Sequence, residues 1–348
     1  MFQSALSQSE KLALISNFGV MLTAGIPLLE IIESLLIDVK GAQQRILKTL
    51  QADLKQGQTL ASTFSKFPKS FDPIFVNLVK AGEQSGTLDV TLKNLEATIK
   101  KEIEFSDKIK AALAYPVLVV IVFTAVLIMI LTFVVPRISQ VFVKLKVDLP
   151  LPTKVLVFLS NFFIQFTPLI IILAFLLFLT AYLLYKTQKR YFLNSIFSLP
   201  LISRLGKYID LTRFSRSLAL LLSSGIPIIE ALELSRQVVV RAEIGRAVER
   251  AKQAVIAGQS LSFGLKQNKG AIPAMMIRLI NAGERSGSLD KSMLEIAQYY
   301  DNQVSNSLKI ISELLEPALL VIIGLLVGGT MLAIVAPIYQ MIGQIKTR

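Results

Sequence analysis

The stretch Ala81-Gly82-Glu83-Gln84-Ser85-Gly86-Thr87-Leu88-Asp89 returns 201 positions later as AGERSGSLD at 282–290. Self-similarity at a fixed offset marks a repeated structural unit, so the reading spreads outward from this pair. Upstream, GQTL at 57–60 returns as GQSL at 258–261, and AGIPLLE at 24–30 returns as SGIPIIE at 224–230. Downstream, Pro116 and Pro136 are matched by Pro317 and Pro337. One unit is therefore used twice.

Inside each unit the period is helical. Leu14, Phe18, Met21 and Leu22 recur as Phe214, Leu218, Leu221 and Leu222 at helix spacing. Gly25 and Gly225 end that first helix, and Pro27 and Pro227 stand where a first helical residue restarts the chain. Ser7 with Glu10 has the form of a capping box. A third helix is expected over Ala42–Gln56 and again over Ala242–Ala257, stopped by Gly57 and Gly258. A short helix follows Thr59 or Ser260, and another runs from Pro73 to Gly82 or from Pro273 to Gly283. The last starts near Thr87 or Ser288 and runs on into the membrane. Asp72-Pro73 against Ile272-Pro273 sets the two prolines one residue out of register. No strand pattern is present, and six helices of this kind make a bundle.

The membrane is read from three stretches without charge: Ala111–Pro136, Val155–Tyr185 and Pro317–Ile345, of 26, 31 and 29 residues. About 20 apolar residues cross a bilayer, so each is long enough. Pro168 is expected to kink the second, which has no partner in the repeat. The first residues, MFQSALSQSEK, lack the basic start of a signal peptide. Lys and Arg near the span ends number ten on the side of the large polar blocks and six on the other. That bias places the blocks, and the N-terminus, in the cytoplasm. The expected organisation is a cytoplasmic helical domain over 1–110, a span over 111–136 and an extracytoplasmic loop over 137–154. A second span over 155–185, a second cytoplasmic domain over 186–316, a third span over 317–345 and an extracytoplasmic tail over 346–348 follow. The fold class is an all-α integral membrane protein with two six-helix bundles and three transmembrane helices.

Of 348 residues, 53% are hydrophobic and 18% charged, against about 25% charged in soluble domains. Cys, His and Trp are absent, which excludes thiol and imidazole catalysis, disulfides and zinc sites with N/S ligands. The net charge of +13 sits unevenly. Residues 1–110 carry 13 basic and 12 acidic groups, whereas 186–316 carry 18 and 11. A basic excess in a membrane protein fits anionic lipid and topology better than direct contact with nucleic acid. Gly206-Lys207 lacks the remainder of a phosphate-binding loop, so no nucleotide, and no other cofactor, is expected.

Several residues draw a functional reading beside a structural one. Gly82, Glu83 and Gly86, with Gly283, Glu284 and Gly287, make either a plain helix–helix corner or a corner that offers the glutamates to a partner. The two glycines are expected to allow positive φ on either side of the turn. The glutamate is expected to accept from free N–H groups of the following helix, which Thr87 or Ser288 caps. Glu30 and Glu230 fall in the first turn after the proline, where a carboxylate suits the helix dipole. Glu33 and Glu233, three residues on, share their faces; two carboxylates fall short of a calcium site, and metal binding stays unassigned. Arg246 and Arg250, in the run Arg236, Arg241, Arg246, Arg250 and Lys252, read as a solvated face or as a surface for an acidic partner. Gly324 and Gly328 have the spacing of close helix packing in membranes, extended by Gly329 and Ala333.

The doubled order GIPLLE/GIPIIE, GQTL/GQSL and AGExSGxLD, each copy followed by a membrane helix, resembles the platform protein family of type II secretion and type IV pilus machines. The resemblance covers nearly the whole chain, although many members carry an additional N-terminal segment before the first motif. It implies a multi-pass inner-membrane protein without enzymatic activity. It implies coupling of a cytoplasmic hexameric assembly or retraction ATPase to the insertion or extraction of pilins or pseudopilins. Other inner-membrane machine components, lipid and further copies of the chain are the remaining implied partners. The alternative is a small membrane transporter, since doubled membrane units are common among transporters. Transport needs polar groups at membrane depth, and the three stretches carry no charge.

Overall fold

The computed structural model describes residues 5–137 and 200–345, except 268 and 269, together with scattered helical positions between 139 and 176. The chain begins its helices with the expected capping box. Ser7 Oγ accepts from Glu10 N–H at 3.2 Å, and the Glu10 carboxylate accepts from Ser7 N–H at 2.7 Å. Helix α1 runs over Gln8–Thr23, and α2 over Leu28–Leu36. Then come α3 (Gly41–Lys55), α4 (Leu60–Ser65), α5 (Pro73–Ser85) and α6 (Leu88–Met129), the last continuing into a π turn over Ile130–Val134. The second series is α7 (Pro200–Ser223), α8 (Ile228–Arg236), α9 (Ala242–Ile256), α10 (Leu261–Lys266), α11 (Ala274–Ser286) and α12 (Leu289–Ile345). Among the described residues every element is helical. The internal helices match in length between the series: 9, 15, 6 and 13 residues each.

Pro27 and Pro227 are not the first helical residues, as expected, but the cap residues one position earlier, with extended ψ of 142°. The register difference between Pro73 and Pro273 also has a local cause. Asp72 caps α5 by accepting from Phe75 N–H at 2.9 Å, so Pro73 becomes the first helical residue. In the second series Pro273 is itself the cap, without a side-chain bond, and α11 starts at Ala274.

Residues Met1–Ile109 and Ile196–Ser305 form one compact unit, and Lys110–Ser195 with Asn306–Arg348 a second. In the first unit the apolar stripes of α1–α6 meet over Leu14, Phe18, Ile32, Leu47 and Leu78. Phe64, Phe71 and Phe75 stack there with centroids 4.4 to 5.3 Å apart. The second series closes over Phe214, Leu218, Val248, Leu265, Met276 and Ile296, with Leu265, Ile272 and Met276 at the positions of the phenylalanine trio. Among the described residues, two helices are long and apolar enough to cross a membrane, Leu88–Arg137 and Leu289–Gly329. Val117, Leu118 and Ile121 on the first, and Leu320, Val321 and Leu325 on the second, face outward in the chain by itself, as lipid-facing residues do. In the second unit the π turn leaves the Leu131 carbonyl available, and buried Ser160 Oγ donates to it at 2.5 Å. The expected second span, the loop before it, Pro168 and the tail at 346–348 lie outside the described residues apart from isolated positions.

One of the buried differences between the two series is ionic. Asp53 on α3 accepts from Lys66 Nζ and from Thr63 Oγ1, both at 2.6 Å. Its counterparts in the second series, Ala254, Gly264 and Gln267, do not titrate. There a Cβ at Gly264 would sit 2.6 Å from Ala251 Cα, so α10 presses directly on α9. The bond from Lys66, then that from Thr63, holds the Asp53 carboxyl below its usual range. A depressed carboxylate stabilises above its unfolded pKa, about 3.9, and the contribution is lost as pH falls through the folded value. The protection factors of α4 amides, corrected for intrinsic exchange, are therefore expected to fall as the pH drops below about 4, with α10 unaffected by this site. Asp53→Asn should remove that dependence from α4.

Candidate functional site

The motif pair that defines the repeat closes on itself in space. Helix α5 does not stop at Gly82, as the sequence suggests, but runs three residues further to Ser85, and α11 likewise runs past Gly283 to Ser286. Only the second glycine of each pair turns the chain: Gly86 has φ 71° and Gly287 φ 69°. Gly82 and Gly283 are helical and are required by close approach instead. A Cβ on Gly82 would lie 2.8 Å from Thr91 Cβ, and one on Gly283 2.8 Å from Ser292 Cβ. Each glycine thus lets α5 or α11 touch the first turns of α6 or α12.

That approach aims the neighbouring glutamate, and not where the sequence suggests. Glu83 turns away from α6 and reaches back 23 residues. Its two oxygens accept from Leu60 N–H at 2.6 Å and Ala61 N–H at 3.0 Å, the first turn of α4. Glu284 repeats this with Leu261 N–H at 2.5 Å and Ser262 N–H at 3.0 Å. The third amide of each short helix is capped locally: Thr59 Oγ1 accepts from Ser62 N–H, and Ser260 Oγ from Phe263 N–H. The physical reason is the length of α4 and α10. Six-residue helices are too short to be stable alone, and a carboxylate at the N-terminus satisfies orphan amides and meets the positive end of the dipole. Thr87 does not take the expected capping role either; its hydroxyl lies 2.7 Å from Ser85 Oγ. GQTL and AGExSG are therefore the two halves of one clamp, present twice.

The other candidates fall nearby without joining it. Gly25 and Gly225 turn the chain with φ of 80° and 77°. Glu30 and Glu230 lie exposed in the first turns of α2 and α8. Glu33 takes Gln51 Nε2 at 3.0 Å and Lys55 Nζ at 3.4 Å, and Glu233 takes Lys252 Nζ at 3.6 Å. These carboxylates thus answer cations of the next helix, and no metal-holding cluster forms among the described residues. Within the basic run, Arg236 pairs with Glu249 at 3.0 Å and Arg241 with Glu243 at 3.0 Å. Arg246 and Arg250 are exposed on α9. Nothing described lies within 4 Å of a Cβ placed on Gly324 or Gly328, so the small-residue face meets no neighbour among the described residues.

Buried charge is what the sequence hid. Lys11 is 6% exposed, with Asp72 at 3.6 Å and its ammonium 4.7 Å from the Phe75 ring centre. Burial lowers its pKa, and Asp72 opposes that. Asp210 is 2% exposed and accepts from Val240 and Arg241 N–H at 3.2 and 2.7 Å, fixing the turn into α9. Burial raises its pKa and those two amides counter it. The available signal was the break in helical periodicity that a charge on an apolar face makes.

Comparison with known proteins meets this geometry at the same two places. The family described as type II secretion system (T2SS), protein F matches residues 14–136 and again 214–337. A type IV pilus assembly protein PilC from Thermus thermophilus is 32% identical over 335 residues, covering 95% of this chain and 82% of the relative. PilC from Pseudomonas aeruginosa is 31% identical over 332 residues, 93% and 88% of the two chains. The type II secretion system protein F of the same organism is 30% identical over 346 residues, 98% and 84%. Each family match opens in α1 or α7, encloses one complete clamp and ends within an apolar helix. A chain built from two such matches, and aligned with both kinds of relative over nearly all its length, belongs to the type II secretion system protein F family.

Proposed function

We propose that this chain is the inner-membrane platform of a type IV pilus or type II secretion machine, on which pilins or pseudopilins are inserted or extracted. The observation that carries this is the doubled family match, each copy ending in a helix apolar enough for a bilayer. Relatives of both kinds, named for pilus assembly and for secretion, support it. The chain carries no phosphate-binding loop of its own, so the work is assigned to a cytoplasmic hexameric ATPase. The bundles, with bounds at 1–110 and 186–316, face that ATPase, and three spans at 111–136, 155–185 and 317–345 hold them to the membrane with the N-terminus inside. Further copies of the chain meet along the open Gly324 and Gly328 face, where backbones can approach closely. The role is mechanical rather than enzymatic.

The ATPase contact is assigned to the more basic second bundle, through Arg246 and Arg250 on α9. Reversing both to Glu is expected to lower co-purification of the ATPase severalfold at low salt, and less at high salt, as screening removes the same attraction. Lys48→Glu with Lys55→Glu, on the equivalent helix α3, should have a smaller effect. The helix should persist in both, because exposed ion pairs contribute about 0 to 1 kcal/mol. ATPase recovery unchanged by the arginine reversal at every salt concentration would remove this surface from the reading.

A further inference from the structure

Arg213 and Arg216 on α7 break the repeat. The matching positions of α1 are Ala13 and Ser16, and Ser16 serves its own bundle by donating to Glu96 on α6 at 2.8 Å. The arginines instead reach into the first series. Arg213 Nη2 lies 3.2 Å from Glu102 Oε1, and Arg216 Nη1 3.5 Å from Glu102 Oε2. Arg216 also stands over the Phe105 ring at 5.3 Å. On its far side Arg216 Nη2 is 4.0 Å from Asp301 of α12, which pairs with Lys108 of α6 at 3.5 Å. One guanidinium thus bridges α6 and α12, each of which continues as an apolar stretch.

The seam around it is built unlike the bundle cores. Cavities of about 330 and 360 Å³ flank Arg216, one reaching Lys11, Asp72 and Leu220, the other Lys101 and Leu294. Arg213 Nε and Arg216 Nη1 are buried without a hydrogen-bond partner. The ion pairs are longer than the 2.6 Å pair of Lys66 with Asp53 inside the first series. Buried apolar residues of both series belong to one core, but core density gives way around Arg216 to cavities and charges, which resemble the contacts of domains that move.

We propose that Arg216, with Arg213, is a latch that holds the two helical series together and releases them when its anions are screened or displaced. Its positions depart from the repeat, with Ala13 and Ser16 in their place in the first series. Opening changes the angle between α6 and α12 at the ends from which their apolar stretches continue.

The chain has no cysteine, so spin labels at Lys69→Cys and Gln259→Cys, both exposed, report the separation of the two series in the full-length protein in lipid nanodiscs. In low salt a single narrow distance is expected. Arg213→Gln with Arg216→Gln should lengthen it by about 10 Å, one helix diameter, and broaden it. The unsubstituted latch in 1 M salt, where the screening length is about 3 Å, should move the same way. Hydrogen exchange of α4 and α10 checks that each series stays folded. An unchanged distance in a folded double variant overturns the latch. If that variant unfolds, the salt arm decides alone: lengthening supports the latch, and an unchanged distance overturns it.

Discussion

Glu284→Ala is expected to destabilise the second helical series by about 3 kcal/mol, because two amides at the start of α10 lose a charged acceptor at once. The Leu261 and Ser262 N–H groups have no other partner in their own helix, since the first turn of any helix leaves its amides open. Alanine leaves them half-buried and unanswered. Glu284→Gln should cost about half as much, since one amide oxygen replaces two carboxylate oxygens and its NH₂ meets an N–H. Glu83→Ala should act the same way on α4. Hydrogen exchange under native conditions reads the outcome: protection of α10 should fall in the Glu284 variants and that of α4 in the Glu83 variants. Equal loss in both short helices from one substitution would mean that the clamp is not local.

Gly283→Val is expected to be at least as severe. Its Cβ would stand 2.8 Å from Ser292 Cβ and 3.2 Å from Leu289 Cα, and neither is the end of a flexible side chain. Relief requires α11 and α12 to separate, and overpacking of this kind costs about 1 to 3 kcal/mol or more. Separation also withdraws Glu284 from α10, so the two losses couple. Gly287→Ala separates the two glycine roles. It meets nothing within 4 Å but must hold φ 69°, a backbone penalty of about 1 kcal/mol. Thermal unfolding in detergent should therefore rank Gly283→Val well below Gly287→Ala; the reverse order would contradict the close-approach account. Ser292→Gly in the Gly283→Ala background should recover part of the loss, because it removes the hydroxyl and Cβ that the new methyl meets.

The local punctuation of this fold was legible because single residues cause it. Gly57, Gly86, Gly258 and Gly287 adopt the positive φ that ends a helix, and Ser7, Thr59 and Ser260 cap the helix that follows them. What sequence could not supply was the destination of a side chain that acts at long range. Glu83 lies three positions before the turn at Gly86, and dipole arguments serve α4 and α6 equally well; only the close contact at Gly82 selects α4. The same limit applies to Gly82, which sequence groups with Gly86 although one is fixed by contact and the other by φ. Arg213 and Arg216 read as ordinary charges until the matching Ala13 and Ser16 are set beside them. The repeat held that signal as an exception, and conserved order alone would have passed over it.

The central claim, a membrane platform whose two helical bundles share the cytoplasmic side, is tested most directly by sided labelling in intact cells. Single cysteines at Lys69, Gln140 and Lys269 sample the first series, the segment after the first apolar stretch, and the second series. The account predicts that a membrane-impermeant thiol reagent modifies position 140 alone, and that positions 69 and 269 react only after the cells are permeabilised. Modification of 69 or 269 in intact cells, with 140 protected, would contradict it.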